Sequence, residues 1–534
     1  MKINKNKLKK YIWITPAIIT FCLALIPTLK YQWPLSWDIN YHILIAHIYA
    51  KYGLVLTNPL ITGSNNNIIG YPPLFQLLIA AIGILTKADF YQIARSLQPI
   101  LTTFIVLSVT YVGRKFYGTI VGISAGFLII SSLLLGNRLI YPLPENLALI
   151  FLPLAVYFYY YSLKEKNFKY ATIAGSLFTL ILLIHQLAPI VLFTIITAFT
   201  IIEITLYRNN HVLKNYGAFL LPPIILSVIG VVGLLILYPY SYMHIILEGI
   251  QETTVFATGT VNLSLGVLSY GNLGILTLIF SFIGVISAII RRQKKDIYLL
   301  TWITMIILLI YTHQFDANIN GYSYRLLVYL LIPVSILGGF GLTQVYHKLK
   351  NYKNFSSHNF RTAFLISIFV LATFDGILTM ENPLIAYNGI NSQYGTFQIA
   401  PPTPSMVELA TWFNENGNRS KSIMTNNPFP CTFVTAETGM PLSGDNFTKY
   451  NNTTSESYFK ENQIGYIVLD KRLTFQSNNE TFYRVEYNDE IKNGAPNYPI
   501  YYYNGNIQSN LNKILPKFVK IVYENKDFIV CQVQ

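Results

Sequence analysis

Charge is scarce in this chain. Asp, Glu, Lys and Arg make up 12% of its 534 residues, against 52% hydrophobic residues. Mean hydropathy is +0.42. So little charge excludes an ordinary soluble protein. A small-residue cleavage motif is also missing. The basic start from Lys2 to Lys10 runs into an apolar stretch at 11–29 that is long enough to span, which predicts an uncleaved first helix. No internal repeat is found, which removes one expected mark of a transporter. Cysteine occurs three times. Cys22 lies in the first apolar run. Cys431 and Cys531 lie in a polar C-terminal region, where an outside location would permit a disulfide that sequence alone does not establish.

What is abundant is the long apolar run. About eleven runs read as spans: 11–29, 93–112, 118–136, 142–162, 170–185, 187–206, 217–238, 265–290, 297–312, 326–345 and 362–380. The run 74–86 is too short to cross and reads as an interfacial or re-entrant helix. The net charge of +14 would suggest nucleic acid in a soluble protein. Its distribution explains it otherwise. With the N-terminus inside, twenty Lys and Arg fall in the inner segments 1–10, 113–117, 163–169, 207–216, 291–296 and 346–361. The outer loops before residue 381 hold six: Lys30, Lys51, Lys87, Arg95, Arg138 and Arg325. That is the positive-inside pattern, with the C-terminus outside.

The fold class expected is a polytopic α-helical membrane protein, 1–380, with an extracytoplasmic α/β or α+β domain at 381–534. In that domain Ser405–Asn416 reads as an amphipathic helix with a serine N-cap. Residues 422–425, 465–469, 518–523 and 528–533 read as strands, the last two joined by a turn at Glu524–Asp527. Sequons at Asn418, Asn446, Asn452 and Asn479 fit an outside location.

The polar side chains of interest fall in the outer loops. Asp38 and His42 are four residues apart, on one helix face, directly after the first span. A carboxylate at the membrane surface can serve as a general base, and a solvated loop aspartate is the plain alternative. His47 and Tyr71 share that loop. Arg138, Tyr141 and Glu145 lie in the second outer loop, where Glu145 also suits a helix N-terminus. His185 marks a tight turn and can simply cap it. His244, Glu248 and Glu252 form a row on one helix face, which is more often solvated than metal-binding. His313, Asp316, Tyr324 and Arg325 lie in a late loop, and an arginine opening a span is a common snorkelling anchor.

In order along the chain stand Trp37-Asp38, Tyr71-Pro72-Pro73-Leu74, Ala94-Arg95-Ser96-Leu97-Gln98-Pro99, Gly113-Arg114-Lys115-Phe116-Tyr117-Gly118, Pro144-Glu145-Asn146 and Tyr324-Arg325-Leu326-Leu327. This series resembles the GT-C superfamily of membrane glycosyltransferases over roughly residues 11–345. The nearest branch is that of the protein O-mannosyltransferases and lipid A aminoarabinose transferases. The resemblance implies a glycosyltransferase, of hexosyltransferase type, that uses a polyprenyl-phosphate-linked sugar at the outer face. It makes Asp38 the base for an acceptor hydroxyl and Glu145 the second-loop acid. Arg325 becomes a phosphate ligand, with His42, Tyr71, Arg138, His185 and Asp316 as further substrate-binding candidates. A base opposite a phosphate leaving group favours single displacement with inversion. No DxD-type pair occurs in the first loop, so a divalent cation stays an open possibility. The Trp-Trp-Asp-Tyr-Gly signature of oligosaccharyltransferases is absent, which argues against en bloc transfer to asparagine. The expected partners are the lipid-linked donor, a glycan, lipid or protein acceptor, and the membrane, with no nucleic acid. The expected setting is a prokaryotic plasma membrane. The rival readings are a transporter or flippase of lipid-linked saccharides, and a non-catalytic scaffold displaying the C-terminal domain.

Overall fold

The structure, a computed structural model, describes residues 11–36, 38–63, 68–237, 271–311, 323–353, 355–381, 402–444, 455–471, 474–477, 480–484, 500–502 and 515–534, with isolated positions between 240 and 247. In chain order, α1 (Thr15–Lys30) is followed by α2 (Asp38–Tyr52), the two-residue strand β1 (Ile61–Thr62) and α3 (Leu74–Thr86). Next come α4 (Phe90–Tyr117), α5 (Thr119–Ile130), a π-helical turn (Leu135–Leu139), α6 (Pro144–Glu165), α7 (Phe168–Ile184), α8 (Leu187–Thr205) and α9 (Val212–Leu237). The later helices are α10 (Ile275–Arg291), α11 (Lys294–Tyr311), α12 (Ser323–Lys348) and α13 (His358–Glu381).

Each of the eleven expected spans overlaps a helix within its described residues, without this fixing the number that cross. Among the described residues seven helices are long and apolar enough to cross a membrane: α1, α4, α6, α8, α9, α12 and α13. α5, α7 and α10 are apolar but shorter. α11 opens on Lys294, Lys295 and Asp296, which dilute its first turn. α3, with 13 residues, falls well short of the roughly 20 that a crossing takes. The protein is thus a multi-pass membrane protein.

The chain divides into two compact units. The first holds Met1–Pro34, Tyr71–Phe75 and Arg95–Ala386. Its central helix is α12, buried along its whole apolar length. α10 approaches it closely because both helices carry glycine at the crossing. A Cβ on Gly284 would lie 1.9 Å from the Leu337 carbonyl oxygen, and one on Gly341 would lie 2.0 Å from that of Phe280. Without a hydrophobic drive between helices in lipid, such close backbone approach is what holds them together. At the ends of the helices where the basic loops lie, two buried acids are neutralised. Asp296 pairs with Arg291 and accepts from the Tyr117 hydroxyl at 2.7 Å. Glu203 pairs with Lys294 and accepts from the Tyr298 hydroxyl and from Asn209.

The second unit holds Leu35–Gly70, Gln76–Ala94 and Tyr387–Gln534, so segments of the first outer loop lie with the C-terminal residues. Its C-terminal elements are α14 (Pro404–Asn416), β2 (Ser422–Thr425), α15 (Pro428–Thr438), β3 (Leu442–Ser443), α16 (Glu456–Glu461), β4 (Ile464–Asp470), β5 (Thr474–Ser477), β6 (Glu480–Arg484), β7 (Ile500–Tyr502), β8 (Val519–Glu524) and β9 (Phe528–Val533). A six-stranded mixed sheet runs β1-β3-β2-β4-β9-β8, and β5-β6-β7 form a separate antiparallel sheet. β1, β3, β2 and β4 are parallel, whereas β9 and β8 form an antiparallel hairpin. β4 is buried at all its positions, as expected of a central strand covered on both faces. Met424, Phe459, Ile467 and Ile529 pack in the core beside it. The Asn525 side chain closes the β8–β9 turn by accepting from the backbone N–H groups of Asp527 (3.1 Å) and Phe528 (2.9 Å).

The N-cap of α14 is Thr403 rather than Ser405, because Pro404, which lacks an N–H, occupies the first helical turn. Cys431 on α15 and Cys531 on β9 are buried free thiols, each pushed up to about 12 by burial.

Candidate active site

The first unit gathers a cluster around Glu145. Its foundation is the π-helical turn Leu135–Leu139, a wide turn type that recurs at functional sites. The Asn146 side chain braces the carbonyls that follow from the end of this turn. Its Nδ2 donates to the carbonyl oxygens of Arg138 (2.9 Å), Leu139 (3.1 Å) and Tyr141 (2.6 Å). Thr102 on α4 adds a bond to the Leu139 carbonyl at 2.9 Å. Held in this way, Arg138 donates through Nε (3.0 Å) and a terminal nitrogen (2.7 Å) to Glu145 Oε2. Both side chains are buried. The other oxygen, Glu145 Oε1, is buried, and the Tyr329 hydroxyl interacts with this carboxylate.

His185 sits at the junction of α7 and α8. Its Nδ1 accepts from the Ala188 N–H at 3.1 Å, so it does cap α8, and the ring proton of the neutral form resides on Nε2. Burial pushes it down to about 4, with Arg325 and Arg138 acting in the same direction and Glu145 opposing. It is therefore neutral near pH 7. The Tyr329 hydroxyl lies 3.5 Å from the same Nδ1 and within the field of Glu145. The Tyr71 ring meets His185 edge-on at 6.3 Å between centroids. Half-buried Arg325, in the first turn of α12, acts electrostatically on both Glu145 and His185.

Two guanidinium groups, those of Arg138 and Arg325, thus stand around the Glu145 carboxylate and the neutral His185 imidazole in a mostly buried setting. Desolvated positive charge of this kind attracts an anion, and guanidinium geometry suits phosphate oxygens.

The second unit carries Asp38 as the first residue of α2, exposed to solvent. His42 lies one turn further on and is buried, with Nδ1 at 3.0 Å from the Gln76 side-chain nitrogen of α3. The amide nitrogen can only donate, so Nδ1 accepts. His47 stacks on Phe90 at 4.2 Å.

Of the predicted site residues, Tyr71, Arg138, Glu145, His185 and Arg325 come together in one unit, and Asp38 and His42 share one helix in the other. Asp316 lies outside the described residues, as do His244, Glu248 and Glu252. Among the described residues no group of three or more His, Cys, Asp or Glu could hold a metal ion. Sequence reasoning missed three members. Tyr329 stands four residues after Arg325, a same-face spacing that could have flagged it. Asn146 was visible beside Glu145, but its carbonyl-capping role depends on the π-helical turn. Gln76 carried no sequence signal. Arg95 and Gln98 both bond to Thr28 at the end of α1, through its carbonyl at 2.8 Å and its hydroxyl at 3.1 Å.

No family model and no curated protein matches the chain by sequence. Solved structures do match it in fold. ArnT from Cupriavidus metallidurans bound to undecaprenyl phosphate superposes with a TM-score of 0.60 at 9% identity, covering 97% of both chains. The archaeal oligosaccharyltransferase AglB from Archaeoglobus fulgidus, in complex with an inhibitory peptide and a dolichol-phosphate, superposes with a TM-score of 0.59 at 13% identity. The match covers 87% of this chain and 70% of that one. The chain has the GT-C fold. Both of those solved proteins carry a polyprenyl phosphate in those structures. At such identities the likeness is one of fold, and the residues of the cluster speak for themselves.

Proposed function

We propose that this protein is a membrane glycosyltransferase that moves a sugar, of the hexose class, from a polyprenyl-phosphate donor to an acceptor hydroxyl. The setting proposed is the outer face of a prokaryotic plasma membrane, with the N-terminus cytoplasmic and residues 381–534 outside. The charge asymmetry of the loops supports that orientation. The observation that carries the reading is the gathering of two guanidinium groups, Arg138 and Arg325, around the buried Glu145. The leaving group of such a reaction is a lipid phosphate whose charge grows as the C1–O bond breaks, and fixed guanidinium groups stabilise that charge. Asp38 takes the proton of the acceptor hydroxyl as its oxygen bonds to C1 from the opposite side, giving inversion. Polyprenyl phosphate leaves and the acceptor gains the sugar. In this role Glu145 acts as the partner that orients Arg138. Tyr71, His185 and His42 complete the substrate-binding set, with Asp316 as a further candidate.

The test is transfer by Asp38→Asn in purified protein supplied with lipid-linked sugars. Loss of a general base costs about 10²–10⁴-fold in turnover, with insertion and polyprenyl phosphate binding retained. Turnover close to wild type would remove Asp38 from the mechanism.

A further inference from the structure

The helix that begins at Asp38 is too short to be self-sufficient. It has 15 residues, and isolated helices of about that length are marginal in water. Nine of the fifteen are nevertheless buried, including Ile39, Ile43, Ile45 and Ile48, so α2 is enclosed rather than resting on a surface by one apolar stripe.

What encloses it belongs largely to the C-terminal domain. α15 packs along α2. β3, the next element after α15, pairs in parallel with β1, the next element after α2. The Leu442 N–H donates to the Leu60 carbonyl at 2.8 Å and the Gly444 N–H to the Thr62 carbonyl at 2.7 Å. Two successive pieces of the loop are thus held by two successive pieces of the domain. A third tie runs through the α3–α4 corner. Phe90 stacks on His47 of α2, and its neighbour Tyr91 packs edge-on against Phe433 of α15 at 5.6 Å. The corner closes tightly because α3 has glycine where Phe90 lies, since a Cβ on Gly83 would sit 1.9 Å from the Phe90 ring.

We propose that the C-terminal domain is a positioning element for the base, with α15 and β3 fixing the helix that carries Asp38. This rests on the reading of Asp38 as that base. A helix of this length is about 22 Å long. A tilt of only about 5° about its far end therefore moves Asp38 by about 2 Å, and misplacement of about 1 Å can cost a reaction about 10²-fold. The domain would then act on turnover without touching substrate.

The experiment uses the full chain with Gly444→Pro, which deletes the N–H that holds Thr62, and Gly444→Ala, which keeps it. Hydrogen exchange is followed in peptides covering 38–62, with 144–165 and 323–348 as internal controls for intact folding. Gly444→Pro is expected to raise exchange in 38–62 alone. It should lower kcat about 10–100-fold, with donor KM and undecaprenyl phosphate binding unchanged, and Gly444→Ala should match wild type. If Gly444→Pro disturbs the control peptides, Phe433→Leu, a milder change in the same grip, takes its place under the same expectations. Unchanged exchange in 38–62 would overturn the grip, and raised exchange with unchanged kcat would overturn the positioning role. The exchange result stands whether or not the protein transfers sugar. A failure of the base assignment shows separately, as turnover retained by Asp38→Asn.

Discussion

Removing Arg138 and removing Glu145 should have opposite effects on phosphate binding, although both break the same ion pair. Arg138→Met leaves the Glu145 carboxylate buried with Oε2 stripped of both its short bonds. Breaking a buried pair from one side costs about 3–5 kcal/mol. The cluster then keeps only one of its two guanidinium groups beside that carboxylate, so the attraction for phosphate weakens. Glu145→Gln instead leaves two guanidinium groups beside an uncharged amide. A charge about 6 Å away, at an effective dielectric constant of about 20, is worth about 3 kcal/mol. Affinity for undecaprenyl phosphate should therefore rise about 10–100-fold in Glu145→Gln and fall by a similar factor in Arg138→Met. The double variant should recover much of the stability lost by Arg138→Met, since no uncompensated charge is left. The assays are thermal unfolding in detergent and equilibrium binding of undecaprenyl phosphate to the four proteins of the cycle. Equal phosphate affinity in all four would refute the anion-site reading. Unfolding at one common temperature would refute the buried ion pair.

Arg325→Lys should weaken donor binding by losing the planar fork, and Arg325→Gln should weaken it further, whereas equal affinity in all three proteins would favour a plain membrane anchor. Gly83→Leu should open the α3–α4 corner and lower the melting temperature of the second unit, while a melt indistinguishable from wild type would contradict the Phe90 packing. Glu437 on α15 is raised by burial, with nearby Asp89 adding to it, from 4.5 to about 7. Between those values the folded state keeps a proton that the unfolded chain has lost, so stability falls as pH rises through that window. His47, lowered by burial, works the other way and loses stability as pH falls below about 6.5. Glu437→Gln should flatten the alkaline side of the profile in melts from pH 5 to 8, and an unchanged slope would refute the assignment.

The sequence made the helices legible because lipid imposes one requirement on every span: a long apolar run whose backbone bonds are internal. The C-terminal strands 422–425 and 528–533 were legible to the residue because turn chemistry brackets them. β1 was not legible. Two residues within a polar loop show no periodicity, and their strand character exists only through β3, far along the chain. The enclosure of α2 was hidden for the same reason, since Ile39 and Ile43 read equally well against lipid or against α15. In the cluster, Arg138, Glu145 and Arg325 were visible as charges near span ends. The π-helical turn that joins the first two was not, because nothing in Leu135–Leu139 distinguishes it from an ordinary helix end.

The pairing of β1 with β3 also has a consequence for biosynthesis. Thr62 and Leu442 are separated by 380 residues. At a synthesis rate of about 5–20 residues per second, the first loop emerges about 20–80 s before its partner strand exists. During that interval the apolar side chains of α2 have no α15 to cover them and β1 has no strand beside it. The loop meets its partners only when nearly the whole protein has been made. Chains cut short by premature termination should therefore expose this segment, giving the cell a means of recognising incomplete copies among those already threaded into the bilayer.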